Sequence, residues 1–374
     1  MKIPFNKPYL TGKEKKYISI AQKKNILAGD GPFTKKCQYL INNLIKVNNS
    51  FLTHSCTASL EMAAILLNIS EGDEIIMPSY TFVSTANAFV LRGGIPVFVD
   101  INYETLNINE NLIEPAITNR TKAIVVVHYA GICSNMDYIL EIAKKYKLLV
   151  IEDNAQGFLS KYKNKFLGSL GDLAAISFHE TKNIISGEGG ALIVNNNKFK
   201  NRAEIIREKG TDRVRFFKGK VNKYTWQDIG SSYLPGEIIA AFLYAQMINT
   251  TMIIKKRMQV WEKYNELLCD IEKKGILVRQ KIPNYCEHNA HMFYIVLSKD
   301  IKRELVITKF NRSNIGAISH YVPLHSSPAG RKYARTASNM NVTNFISRKI
   351  IRLPLWIGLE DKDIEKVVNI FKKI

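Results

Sequence analysis

The 374-residue chain is poor in cysteine, and its five cysteines build nothing by spacing. Cys37, Cys56, Cys133, Cys269 and Cys286 lie far apart, are odd in number and form no CxxC pair. That argues against a disulfide framework and against a zinc or other metal site, and it fits a reducing, cytoplasmic setting. No apolar run approaches the length of a membrane span, and the N-terminal MKIPFNKPYL carries no apolar signal core. Acids are scarce beside bases, 33 against 53, which leaves a formal net charge of +20. The lysines come in short clusters such as Lys13-Glu14-Lys15-Lys16, and no basic block is long enough to read as a tail. Zinc-finger spacings and basic-aromatic RNA motifs are absent, so nucleic acid is not an expected partner. The charge reads either as a Lys-rich solvated surface or as attraction for an anionic substrate.

The chain shows no internal repeat and no low-complexity linker. Short Val- and Ile-rich runs recur at 51–53, 74–77, 96–100, 123–127, 148–152, 174–178 and 191–194. Several are apolar at consecutive positions, which suits strands buried on both faces. Helical patterns such as 57–67 and 136–145 lie between them. Alternating strands and helices predict an α/β fold with a mostly parallel sheet, whose ligands bind beyond the carboxyl ends of the strands. Residues 237–272 read as one long helical stretch. The pattern then changes to short strands and helices, including 292–297 and 361–373. The length suits two units: a large domain over 1–250 and a smaller C-terminal α/β domain over 251–374.

Four segments fall where strands of this sheet should end. His54-Ser55-Cys56-Thr57-Ala58-Ser59 offers hydroxyls and free N–H groups at a helix start, which suits either a phosphate or an ordinary helix cap. Pro78-Ser79-Tyr80-Thr81-Phe82-Val83-Ser84-Thr85 places an aromatic after a strand, to stack on a planar ligand or to fill the core. In Glu152-Asp153-Asn154-Ala155-Gln156 two acids follow a buried strand. A carboxylate there either faces a bound cation, raising that cation's pKa, or caps the next helix. In Ser177-Phe178-His179-Glu180-Thr181-Lys182-Asn183 a lysine follows a buried strand. It is either a solvated side chain or an amine able to form a Schiff base with an aldehyde cofactor. Gly187-Glu188-Gly189-Gly190 then allows a tight turn or close backbone approach.

In order and content together, these segments resemble the DegT/DnrJ/StrS-type sugar aminotransferases, from Pro4-Phe5-Asn6-Lys7-Pro8 to Leu353-Pro354-Leu355. Further strings carry the likeness: Gly29-Asp30-Gly31-Pro32-Phe33-Thr34, Tyr224-Thr225-Trp226, Gly230-Ser231-Ser232-Tyr233-Leu234-Pro235 and His320-Tyr321-Val322-Pro323-Leu324-His325. The resemblance implies the pyridoxal-phosphate (PLP)-dependent transferase fold of the aspartate-aminotransferase type. It also implies pyridoxal 5'-phosphate as cofactor, an amino-acid donor, a nucleotide-sugar acceptor and a homodimer. By it, Lys182 matches the Schiff-base lysine, and Asp153 the partner of the pyridine nitrogen. Gln156 lies near the ring, Phe82 stacks on it, and Ser177, Thr57 and Ala58 form the phosphate site. Within the family the strings look most like the branch that makes dTDP-4-amino-4,6-dideoxygalactose, with L-glutamate as donor and a surface polysaccharide (enterobacterial common antigen or an O-antigen) as destination. Related sugar dehydratases carry histidine in place of the lysine, so Lys182 speaks against that reaction. The chain departs from many members at Ser232-Tyr233-Leu234, where Asn-Tyr-Arg is common, and at Asn154, where a small apolar residue is usual.

Overall fold

The computed structural model describes residues 2–374. Strands β1 (Ser50–Thr53), β2 (Glu74–Pro78), β3 (Ile95–Val99), β4 (Thr121–Val127), β5 (Leu149–Asn154), β6 (Leu173–Ser177) and β7 (Gly190–Val194) follow one another along the chain. Later come β8 (Leu277–Arg279), β9 (Phe293–Leu297), β10 (Arg335–Thr336) and β11 (Ile350–Leu353). Strands β1 to β7 join β10 in an eight-stranded sheet of order β1-β7-β6-β5-β4-β2-β3-β10. Every pairing is parallel except the two made by β7, which runs against both β1 and β6. The expected sheet is therefore present, with one reversed strand.

Both faces of the sheet are covered, which explains the unbroken apolar runs. Along β2, Ile75 and Met77 join one core cluster and Ile76 another. Along β4, Ala123 and Val125 face one way, and Ile124 and Val126 the other. Helix Cys56–Leu66 lies on the first face and buries Leu60, Met62, Ala63 and Ala64. Its alanines permit a short approach to the strands. Helix Met136–Tyr146 covers the second face through Met136, Ile139, Ile142 and Ala143.

Residues 237–272 are not one helix. They form Glu237–Met247, Thr250–Leu267 and Cys269–Lys273, with a 63° bend at the first break. The Asn249 side-chain amide donates to the Ala245 carbonyl at 2.7 Å, so that helix end is closed by a side chain. Among the described residues no single helix is long and apolar enough to cross a membrane. Beyond the bend, β8, β9 and β11 form a second, antiparallel sheet. Its core holds Trp261, Tyr264, Phe293, Phe310 and Phe371. Strand β10 then returns to the edge of the large sheet, beside β3.

Candidate active site

The register of the large sheet brings the four segments to one edge. Thr53 and Ser177, the last residues of β1 and β6, both lie opposite Gly190, the first residue of β7. In the neighbouring strands Asp153 lies beside Val127 and Ala175. Pro78 ends β2 at the same edge. The segments after β1, β2, β5 and β6 thus converge.

At the first of them, Ser55 caps helix Cys56–Leu66 by accepting from the Ala58 N–H at 3.1 Å. The cap reading therefore holds for Ser55, and it occupies the Ala58 amide. The Thr57 hydroxyl pairs with that of Ser84 at 2.8 Å. Other first-turn N–H groups have no partner within the helix, which keeps this terminus suited to an anion. Gly190 is required here by space: a Cβ on it would lie 2.5 Å from the Ser55 carbonyl carbon and 2.6 Å from the Cys56 nitrogen. Ser177 is buried beside this terminus in the strand register, and its Oγ accepts from the His179 N–H at 3.4 Å.

The two adjacent acids of β5 take opposite roles, because successive side chains in a strand point to opposite faces. Glu152 is fully buried and accepts from the N–H groups of Gly168 at 2.7 Å, Leu170 at 2.8 Å and Gly171 at 2.7 Å. Its fourth partner is His128 Nε2, 3.0 Å away. Asp153 has no such set. It accepts from the Thr85 hydroxyl at 2.6 Å and the Ala155 N–H at 3.2 Å. Burial pushes its carboxyl up, while Thr85, Ala155 and the charge of Lys182 pull it back. A buried carboxylate held this way calls for a cation. Asn154, also buried, donates to the Leu167 carbonyl at 2.9 Å, so it fastens the same β5–β6 connection as Glu152.

Lys182 is half-buried in the loop after β6. Burial lowers the pKa of its amine; the charges of Cys56 and Asp153 oppose that, and Arg352 adds to it. A lowered amine pKa favours the free base that a Schiff base needs. The loop is pinned on both sides of the lysine. Lys182 N–H donates to the His179 carbonyl at 2.9 Å, and Glu180 N–H to Gly187 at 2.8 Å. The next residue, Asn183, donates to the Asn289 carbonyl at 2.7 Å and meets His291 Nδ1 at 3.1 Å. His179 pairs with Thr181 rather than with the site's acids.

Phe82 precedes helix Val83–Val90 and is 56% exposed, so it is not a core aromatic. Its ring stands 6.3 Å from that of Tyr321. Gln156 is buried with both ends of its amide engaged: Oε1 accepts from Ala130 N–H at 2.7 Å, and Nε2 donates to the Tyr321 hydroxyl at 3.0 Å. Several neighbours were not legible as site residues in the sequence: Thr85, Ser84, Cys56, Tyr129, His320, Tyr321 and Arg352. Thr85 stands three residues after Phe82, in the first turn of the helix that Phe82 precedes, which was the available signal. Tyr129 meets His320 Nδ1 at 2.9 Å, and Tyr80 donates to the His320 carbonyl.

The set fits pyridoxal phosphate on its own chemistry. A lysine whose amine pKa is lowered by burial is present for the aldehyde, a buried acid for the pyridine nitrogen, an exposed aromatic for the ring, and a helix terminus with Ser177 for the phosphate. Comparison with known proteins agrees. The profile of the DegT/DnrJ/EryC1/StrS aminotransferase family matches residues 8–372. The chain is 31% identical over 379 residues to a GDP-perosamine synthase of Escherichia coli O157:H7, covering 100% of the chain and 97% of that protein. It is 31% identical to a UDP-4-amino-4-deoxy-L-arabinose–oxoglutarate aminotransferase of Shewanella sediminis, over 86% of the chain and 84% of the relative. In fold it superposes on Helicobacter pylori PseC, an aminotransferase involved in pseudoaminic acid biosynthesis, with a TM-score of 0.91 at 23% identity, over 100% of this chain and 99% of the other.

Proposed function

Since the chain belongs to the DegT/DnrJ/EryC1/StrS aminotransferase family, whose cofactor is pyridoxal phosphate, we propose that it aminates the 4-keto group of a nucleotide-linked sugar. In its specific form the reaction moves an amino group from L-glutamate to dTDP-4-keto-6-deoxyglucose and yields dTDP-4-amino-4,6-dideoxygalactose. The observation that carries the reading is the strand register, which brings the segments of Asp153 and Lys182 to one sheet edge. The branch rests on the resemblance of the strings around Lys182 and Tyr233. The named relatives support a nucleotide sugar as acceptor, and one of them, by its name, works with oxoglutarate.

When bound, pyridoxal phosphate supplies an aldehyde for the amine and an electron-poor ring that stabilises a carbanion. Lys182 would hold it through its amine and, as a free amine, would move a proton at the donor's α-carbon, as base and then acid. Asp153 would favour the protonated form of the pyridine nitrogen, and Thr85, which donates to Asp153, would hold that carboxyl in its direction. Phe82, exposed at this edge, would stack on the ring. Thr57, Ser177 and the first turn of helix Cys56–Leu66, around Ala58, would receive the phosphate, while Gln156 braces Tyr321.

Residues 1–250 form the cofactor-binding unit in this reading, and 251–374, with their own sheet and core, the smaller one. Exposed apolar side chains at Phe82, Val83, Trp226 and Ile229 support a second copy of the chain as partner, completing the site as a homodimer. The product serves a surface polysaccharide.

Incubation of the holoenzyme with L-glutamate and dTDP-4-keto-6-deoxyglucose tests the reaction, with the product identified by mass and NMR. An axial 4-amine is expected. An equatorial amine, or turnover only with a GDP- or UDP-linked sugar, moves the chain to another branch. Loss of the 3-hydroxyl without amination would make it a dehydratase.

A further inference from the structure

The lysine loop and the segment after the site's acid are tied together at one buried asparagine. Asn289 stands just before β9, and its side-chain amide donates to the carbonyls of Gln156 and Phe158, both at 2.9 Å. Those residues follow β5, the strand that carries Asp153. The Asn289 main-chain carbonyl accepts from the Asn183 side-chain amide at 2.7 Å, and Asn183 is the residue after Lys182. Gly131 leaves room for this arrangement, since a Cβ there would run into Asn289 Oδ1. Among the described residues, the other hydrogen bonds of residues 180–187 stay within the loop between β6 and β7. Asn183 is therefore the loop's polar anchor to the rest of the chain.

Asn183 is in turn held by His291. The Asn183 nitrogen is spent on a carbonyl, so its Oδ1 faces His291 Nδ1 at 3.1 Å and can only accept. His291 therefore carries its proton on Nδ1 and donates. Burial, with the charges of Lys182, Arg352 and Arg257, pushes the imidazole far below its ordinary pKa, so the ring is neutral. Among the described residues neither Arg257 nor Arg352 holds a carboxylate, whereas Arg207, Arg279 and Arg335 each do. The histidine's main chain is fixed as well. Its N–H donates to Asn289 Oδ1 at 3.0 Å, and its carbonyl accepts from Arg257 of helix Thr250–Leu267 at 2.7 Å. Arg257 also donates to the Ala290 carbonyl at 3.0 Å.

We propose that His291 and Asn183 are positioning residues for Lys182, setting where its amine stands relative to Asp153. The inference rests on the aminotransferase reading above. Consecutive Cα atoms lie about 3.8 Å apart across a trans peptide, so an anchored Asn183 leaves the Lys182 main chain little room to move. Proton transfer needs its atoms at a defined separation, and a misplacement of about 1 Å can cost about 100-fold. A loop tied only to itself does not fix that separation. Asn289 does, because it holds the segments of both groups. A neutral imidazole supplies a rigid donor to this set without adding a positive charge beside an amine that must lose its proton. The clasp also links the lysine to the small unit, since His291 leads into β9 and Arg257 belongs to the long helix before it.

The test follows the absorbance of the bound cofactor in the holoenzyme, first against pH and then during amino-group uptake from L-glutamate. An asparagine at 291 can place its amide N–H where Nδ1 stands, whereas a glutamine reaches past it. His291→Gln should move the midpoint of the pH titration by about 0.5–1 unit, the size of one net hydrogen bond. It should slow the maximal rate of uptake about 10-fold or more, with the half-saturating glutamate concentration within about twofold of wild type. His291→Asn should bring the rate back to within about threefold and the midpoint close to wild type. A wild-type midpoint and rate in His291→Gln overturn the assignment. Equal defects in the two variants overturn it too, because a purely structural role gives that result. Should His291→Gln fail to fold, Asn183→Ser decides, and a wild-type midpoint and rate in it overturn the assignment. A cofactor band in the wild type that does not depend on Lys182 overturns the functional reading as well. A Lys182-dependent band that no change at 291 or 183 moves sinks the positioning alone.

Discussion

The Thr85 hydroxyl donates to Asp153 at 2.6 Å while pairing with Thr81 at 2.8 Å. One short side chain on helix Val83–Val90 therefore sets the direction of the acid at the end of β5 and opposes the burial that raises its pKa. Thr85→Val removes that donor without changing volume much. It should lower kcat about 10- to 100-fold, the usual worth of a hydrogen bond to a charged group. Asp153→Asn, which cannot carry the charge, should cost more. The visible spectrum of the bound cofactor and the steady-state rate together check this. Wild-type rates in both variants would remove Asp153 from the mechanism.

Lys182→Ala should keep the fold and lose turnover altogether. The loop around it is held by His179, Gly187, Asn289 and His291 rather than by the lysine amine. A thermal melt close to wild type, with no product after prolonged incubation, is the expected pair of results. Measurable turnover would end the assignment.

Gly190→Ala places a methyl against the backbone of Ser55 and Cys56, where no side chain can yield. The helix terminus must move. The expected outcome is weaker cofactor retention, by about 5- to 150-fold, if an overpacking cost of about 1–3 kcal/mol falls on the bound state. Equilibrium dialysis against pyridoxal phosphate measures it, and unchanged retention would show that the terminus does not hold the phosphate.

Glu152→Gln should lower stability rather than chemistry. Glu152 is the common acceptor for three backbone N–H groups and His128. Removing a buried charge from such a set costs about 3 kcal/mol or more. A lower urea midpoint, with kcat per folded molecule little changed, is the prediction.

Acid sensitivity should arise at the opposite end of the strands. Hydrogen bonds from Arg335, with those from Thr118 and Arg120, hold the Glu74 carboxyl down to about 2 against the burial that would raise it. The folded value lies below the unfolded one. The stabilisation is therefore complete above about pH 4.5 and fades as pH falls toward 2. Glu74→Gln should cost about 1–3 kcal/mol at pH 7, given partly exposed partners. The gap from wild type should narrow at pH 3. A pH-independent gap in urea midpoints would refute the linkage.

Much of this was legible in the chain. The runs at 51–53, 74–77 and 123–127 are strands because they are apolar at consecutive positions, and only a sheet covered on both faces uses such runs. The long stretch at 237–272 was misread as one helix because propensity does not register a side-chain cap at Asn249. The reversal of β7 was equally hidden, since a buried strand reads the same in either direction.

By itself, the sequence determined that strands alternate with helices, that Lys182 follows a buried strand, and that two acids end another. Local composition and period are enough for that. Only the tertiary structure decided that Glu152 fastens a connection while Asp153 takes a hydrogen bond from Thr85, that Gln156 has both amide ends engaged, and that Arg352 stands without an acid. Adjacent strand residues must point to opposite faces, but which face meets solvent, backbone or ligand depends on what packs there from elsewhere in the chain.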